Sequence, residues 1–287
     1  MYNDSISTLV IGVSVPLIPV NNTRLFVDEI GSGPTIVFLH GGFGLDSSYF
    51  RPYLDPLSQW FHCLFVDLRG NGRSDEVEAT SITLPNILKD LEALRAHYQL
   101  GSWVIMGHSG GGLVSQLYGL RYPHSLRKLI IMSSFGQIPF DAPDWREGPK
   151  RFDLPQATRG FNTFLKGVAT DDEYRKANLD IAPLFFADPE KADLTPFMHI
   201  QYRVAPFNQL FNTHGKTNLL PDLPKLAMPL LAIHGREDWR VPVAEAERVV
   251  DLVPDGNLLV LGNAGHFPFF EQSQECVVAI RDFAQES

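Results

Sequence analysis

"VIMGHSGGGLVSQ", residues 104–116, runs from an apolar stretch into a cluster of glycines and then into helix-compatible residues, with Ser109 where the chain must turn most sharply. Gly107, Ser109 and Gly111 satisfy G-x-S-x-G, and they do so after a predicted strand and before a predicted helix, the context that gives the pattern meaning. Such a turn holds its central residue in a strained conformation and needs small neighbours so that the backbone can close up, which projects the hydroxyl from the edge of a sheet. The helix behind it presents unpaired N–H groups and a partial positive charge, and these favour an oxyanion formed beside Ser109. A serine that merely capped a helix would need no partners elsewhere.

Partners are present. A serine hydroxyl is a poor nucleophile until a base takes its proton, and the base needs an acid to fix its tautomer and stabilise its cation. "LAIHGREDWRVP" (231–242) supplies Asp238 after one apolar run, and "LGNAGHFPFFE" (261–271) supplies His266 after the next. The order Ser, Asp, His, with each residue in a loop after a strand, is that of catalytic groups on the carboxyl side of a parallel sheet.

Working outward, short apolar runs recur at 24–30, 35–40, 62–67, 102–107, 128–134, 229–235 and 257–262, and "STLVIGVSVPLIPV" (7–20) adds a first strand. Their continuous apolarity predicts strands covered on both faces, in a mostly parallel sheet flanked by helices. Amphipathic segments at 84–99, 112–122, 242–253 and 272–285 supply those helices. The βα rhythm breaks between Ser134 and Pro229, too long for a structureless connection, so residues 135–228 are expected to form an insertion into a core of 1–134 and 229–287. Helix-compatible pieces lie within it at 157–169, 171–186 and 196–212, and it is rich in aromatic residues.

These residues resemble the α/β-hydrolase superfamily. "HGGFG" (40–44) is similar to that family's oxyanion loop, and "DLRGNGRS" (67–74) to its D-x-R-G-x-G-x-S segment. The resemblance covers the chain outside the insertion. It implies a mostly parallel, eight-stranded α/β-hydrolase sheet flanked by helices, with a helical cap inserted after strand 6. It also implies that the backbone N–H of Gly110 is one oxyanion donor and that of Gly42 or Phe43 the other. Asp238 rather than the adjacent Glu237 matches the family's acid. His40 and His108 fit structural or pocket-wall roles, and Asp67 and Arg69 fit an ion-paired or hydrogen-bonded loop support.

A serine at position 109 disfavours dehalogenase and epoxide-hydrolase chemistry, in which relatives use Asp at that place. Acyl transfer remains. "HGGFG" lacks the proline of the HGGPG in proline iminopeptidases, and an aminopeptidase would need acidic anchors such as Glu147, Asp171, Asp172, Glu173 or Glu190. An apolar ester or lactone would instead use the aromatic insertion. Phe207 and Phe211, with Phe43 and His108, are the substrate-binding candidates. Ester or lactone hydrolysis stands first, an aminopeptidase second, and a ligand receptor on a hydrolase scaffold third.

Composition bounds the rest. The 287 residues, 44% hydrophobic and 20% charged, suit one large globular unit, and the formal charge of −9 argues against nucleic acid as a partner. The partner expected is a small-molecule substrate, with no membrane and no cofactor, and oligomeric state is not legible. Cys63 and Cys276 fit buried thiols, and no histidine shows metal-ligand spacing, so no metal is expected. The apolar start of the chain lacks a basic leader and carries Pro16 and Pro19, which points to a cytoplasmic protein.

Overall fold

The computed structural model describes residues 17–137 and 154–286. Eight strands form one sheet: β1 (Leu17–Val20), β2 (Thr23–Ile30), β3 (Thr35–Leu39), β4 (His62–Val66), β5 (Trp103–His108), β6 (Leu126–Met132), β7 (Leu230–Gly235) and β8 (Gly256–Leu261). Their spatial order is β1-β2-β4-β3-β5-β6-β7-β8. β1 and β2 pair antiparallel, as do β2 and β4, while every pairing from β4 to β8 is parallel. Of the first predicted run, residues 7–16 lie outside the described residues. Its end forms β1, an edge strand that tolerates Pro19.

The longer described helices are α1 (Leu84–His97), α2 (Gly110–Arg121), α3 (Pro155–Lys166), α4 (Asp171–Ile181), α5 (Val204–His214), α6 (Val243–Leu252) and α7 (Ser273–Gln285). The continuous apolarity of β3 now has its cause. Val37 and Leu39 pack on one side with Leu84, Ile87, Leu113 and Val249 from α1, α2 and α6. Ile36 and Phe38 pack on the other with Cys276, Ile280 and Phe283 from α7. Each such side chain, once fully buried, contributes about 1.5–3 kcal/mol. β2 and β8 depart from the expectation of strands covered throughout. β2 alternates between buried and more accessible positions near the antiparallel end, and β8 is the opposite edge, with only Leu261 fully buried.

Because β3, β5, β7 and β8 run parallel, the loops that follow them emerge at one edge of the sheet. A helical region carrying α3, α4 and α5 follows β6 and packs against that edge. No described helix is long and apolar enough to cross a membrane.

Candidate active site

The turn between β5 and α2 is strained where the sequence places Ser109, which has φ 51° and ψ −117°. That conformation is unusual for a residue with a Cβ and persists only when its surroundings over-determine it. They do so here. A Cβ on Gly111 would overlap the carbonyl oxygens of Leu39 and His40, and one on Gly112 would overlap the Ser134 hydroxyl. Ser134 uses that hydroxyl to donate to the Ser109 carbonyl at 2.7 Å, and the Ser109 N–H donates to Met132 O at 2.9 Å. Ser134 and Gly112 therefore support the turn, a role that the G-x-S-x-G pattern does not announce.

His266 lies between the other two candidates. Its Nε2 is 3.1 Å from Ser109 Oγ and its Nδ1 is 2.8 Å from Asp238 Oδ2. The other carboxylate oxygen of Asp238 accepts the N–H groups of Arg240 and Val241, both at 2.9 Å, which fixes its orientation. Burial alone would push the Asp238 carboxyl up, but the adjacent His266 imidazole and hydrogen bonds from His234 and His266 hold it well below the usual carboxylate range. Glu237 is exposed and turns away, accepting the Ala264 N–H at 3.0 Å. His234 Nε2, 3.5 Å from Asp238 Oδ2 and 2.7 Å from Val241 O, is an acid-side neighbour that spacing alone did not reveal.

His108 is engaged differently. Its Nε2 is 2.8 Å from the His266 carbonyl, which can only accept, so Nε2 carries the proton. Its Nδ1, 2.9 Å from Tyr49 Oη, must then accept from that hydroxyl, which itself accepts the Gly41 N–H at 2.5 Å. Burial, and then the proximity of His266, push the His108 imidazole well below its ordinary range and keep it neutral. His40 is likewise buried and tied to backbone, with Nε2 accepting the Leu68 N–H at 3.1 Å.

In the 40–45 loop, Gly41 N–H is taken by Tyr49, Gly44 N–H by Asn71 Oδ1, and Leu45 N–H by the Gly42 carbonyl. Among the described residues, the N–H groups of Gly42 and Phe43 have no acceptor, and neither does that of Gly110 at the start of α2. Asp67 and Arg69 are ion-paired and hydrogen-bonded as expected, each with a different partner. The buried Asp67 pairs with Arg73 and accepts the Ser47 N–H and hydroxyl, whereas Arg69 pairs with Asp90 at 2.5 Å. Cys63 and Cys276 are free and buried, and burial pushes both thiols up to about 12.

A cavity of about 510 Å³ opens onto these groups. Gly42, Phe43, Gly110, His108, Phe207 and Phe211 all line it with Ser109 and His266, as do Phe161, Phe164, Phe185 and Phe197. Asp171 accepts the Val204 N–H and Glu173 the Ala169 N–H, and no carboxylate among the described residues lines the cavity. Glu147, Phe140 and Trp145 lie outside the described residues. Glu271, unforeseen in the sequence, bridges the His266 loop to the region after β6 by accepting the N–H groups of Gly265 at 2.7 Å and Ala187 at 2.9 Å.

Comparison with known proteins agrees with this architecture. A family model described as alpha/beta hydrolase fold matches residues 34–273. The chain is 27% identical over 274 residues to a proline iminopeptidase of Saccharolobus solfataricus, covering 89% of this chain and 86% of that protein. It is 28% identical over 269 residues to a pimeloyl-[acyl-carrier protein] methyl ester esterase of Aeromonas salmonicida, covering 90% and 98%. Among solved structures, an esterase from Exiguobacterium antarcticum superposes with a TM-score of 0.76 at 20% identity, covering 92% of this chain and 96% of that one.

Proposed function

The chain belongs to the α/β-hydrolase family, and on that premise we propose that it is a serine hydrolase cleaving carboxylic esters or lactones of small to medium apolar substrates through an acyl-enzyme at Ser109. The observation that carries this reading is the single imidazole of His266 within hydrogen-bond reach of both Ser109 Oγ and a buried, ionised Asp238. Residues 135–228 act as a cap on a core formed by 1–134 and 229–287.

In the proposed reaction Ser109 Oγ attacks the ester carbonyl carbon while His266 Nε2 takes its proton. The oxygen of the tetrahedral intermediate becomes an oxyanion, held by the N–H of Gly110 and that of Gly42 or Phe43. Each such donor lowers the barrier by about 2.7–4 kcal/mol. Collapse breaks the bond to the leaving alcohol, which receives the proton from His266. A water deprotonated by His266 then attacks the acyl carbon, and Ser109 leaves with that proton. Asp238 stabilises the imidazolium at each transfer without itself becoming protonated.

An apolar ester suits the cavity because its described walls are dominated by phenylalanine and hold no carboxylate to receive a peptide's ammonium group. The esterase among the relatives supports the same choice, and the proline iminopeptidase keeps the peptidase as the competing reading. The test is turnover of p-nitrophenyl esters of graded chain length, lactones and prolyl-arylamides, beside a fluorophosphonate label. Ester turnover with the adduct on Ser109 is expected. Preference for prolyl-arylamides would establish the peptidase, and tight ligand binding without turnover of any substrate would establish a receptor.

A further inference from the structure

The two unpartnered N–H groups of the 40–45 loop are held in place by neighbours on both sides, and one of those neighbours comes from a distant part of the chain. Tyr174, on α4, donates its hydroxyl to the Phe43 carbonyl at 2.8 Å across 131 residues of sequence. The Arg203 N–H donates to the Gly44 carbonyl, also at 2.8 Å, and the Gln201 N–H to Asp46 Oδ2. From the core, Tyr49 fixes the Gly41 N–H and Asn71 the Gly44 N–H. The peptides flanking Gly42 and Phe43 are thus clamped, and both residues line the cavity with N–H groups that lack an acceptor among the described residues. Tyr174 itself has little freedom. It is buried, its ring lies 4.9 Å from that of Phe207, and the Phe164 ring meets it edge-on at 5.9 Å.

We propose that Tyr174 is a positioning residue for the oxyanion loop, so that the helical region after β6 takes part in the chemical step as well as in choosing the substrate. The inference rests on the hydrolase reading above. Its physical basis is that an oxyanion donor contributes in proportion to how well it is aimed before charge develops. The Phe43 carbonyl and the two N–H groups belong to consecutive peptides, so loss of the Tyr174 hydroxyl leaves a part-buried carbonyl without its donor and lets the loop rotate. Misplacement of about 1 Å at a reacting centre can cost about 100-fold.

Tyr174→Phe removes only the hydroxyl. It should lower kcat on p-nitrophenyl esters about 10- to 100-fold with KM held, and weaken an alkyl trifluoromethyl ketone, which forms an oxyanion at Ser109, by the same factor. Tyr202→Phe is the control. Its hydroxyl sits in the same aromatic cluster but donates to Phe197 O at 3.0 Å rather than to the loop, and its loss should leave kcat unchanged. 4-Aminophenylalanine at position 174 keeps a donor and should restore kcat, whereas 4-methylphenylalanine, of similar bulk, should not. This pair decides the matter even if Tyr174→Phe fails to fold. Equal losses from the amino and methyl variants, or unchanged kcat in Tyr174→Phe, or a matching loss in Tyr202→Phe, would overturn the proposal. Absence of Ser109-dependent turnover in the unaltered protein would instead defeat the hydrolase reading.

Discussion

β5 and α5 both contribute to the cavity, but they are built on opposite terms. Every residue of β5 from Trp103 to His108 is buried, whereas in α5 only Pro206 and Leu210 are. Around β5 the backbone fixes the site: Ser109 is held in a strained conformation by glycines that admit no side chain and by backbone hydrogen bonds. Along α5 side chains such as Phe207 and Phe211 face the cavity from a partly exposed helix. The contrast teaches that changes at the strand ends should affect every substrate alike, while changes along α5 should affect which substrate is preferred.

The strongest way to break this contrast is Ser109→Ala. Under the proposed mechanism turnover should fall by about six orders of magnitude on every ester, the effect known for loss of a triad nucleophile in a serine protease. The fold should persist, as read by circular dichroism. Fluorophosphonate adducts on another serine, found by peptide mass spectrometry, would show that the chemistry is not at the β5 end. Asp238→Asn should come next, with a loss of kcat of about 10⁴-fold on all esters, because an amide facing His266 Nδ1 favours the wrong tautomer. A loss that depended on acyl size would place Asp238 among the selecting residues instead.

Phe211→Ala sharpens the other side. Phe211 lines the cavity yet is 42% exposed, so stability should hardly change. The ranking of esters by acyl length should shift, with each methylene of fit worth roughly 1–3 kcal/mol. Uniform losses from acetate to long-chain esters would put α5 on the same footing as β5.

The smallest effect concerns stability against pH. The Asp238 carboxyl is depressed in the folded protein, mainly by His266 once burial is overcome, so its contribution to stability is complete above the ordinary carboxylate value of about 3.9. It is lost as pH falls below that value toward the depressed one. Urea midpoints of the native protein and Asp238→Asn should therefore converge on acidification from about pH 5 downward. Midpoints that stay equally far apart down to acid would show that the Asp238 charge contributes nothing to the fold.

How far the sequence reveals this molecule follows from how local each determinant is. The strands were legible because sheets covered on both faces require unbroken apolar runs, and the weaker signal of β2 and β8 reflects their position near the edges. Ser109, Asp238 and His266 were legible because each follows a strand, so topology brings them to one edge. Tyr49, Ser134, Tyr174 and Glu271 were not. Each acts through one hydroxyl or carboxylate reaching a backbone group or imidazole far along the chain, as Tyr49 does over 59 residues to His108, and a lone contact of that kind has no period and no motif. Asp67 and Arg69 are ion-paired as expected, but their partners, Arg73 and Asp90, were not legible for the same reason.

Beside its apolar packing and the Tyr174 hydroxyl, the seam between the sheet and the helical region after β6 uses that region's main chain. Phe185 offers its carbonyl to the His266 N–H, Leu184 to the Trp239 indole, and Ala187, Gln201 and Arg203 offer their N–H groups to Glu271, Asp46 and Gly44. These main-chain carbonyls persist through any substitution, and the N–H groups through any except substitution by proline. Cavity-facing positions on the exposed side of the region, such as Phe211, can therefore be varied while these ties stay in place, which lets selectivity be recast without rebuilding the attachment.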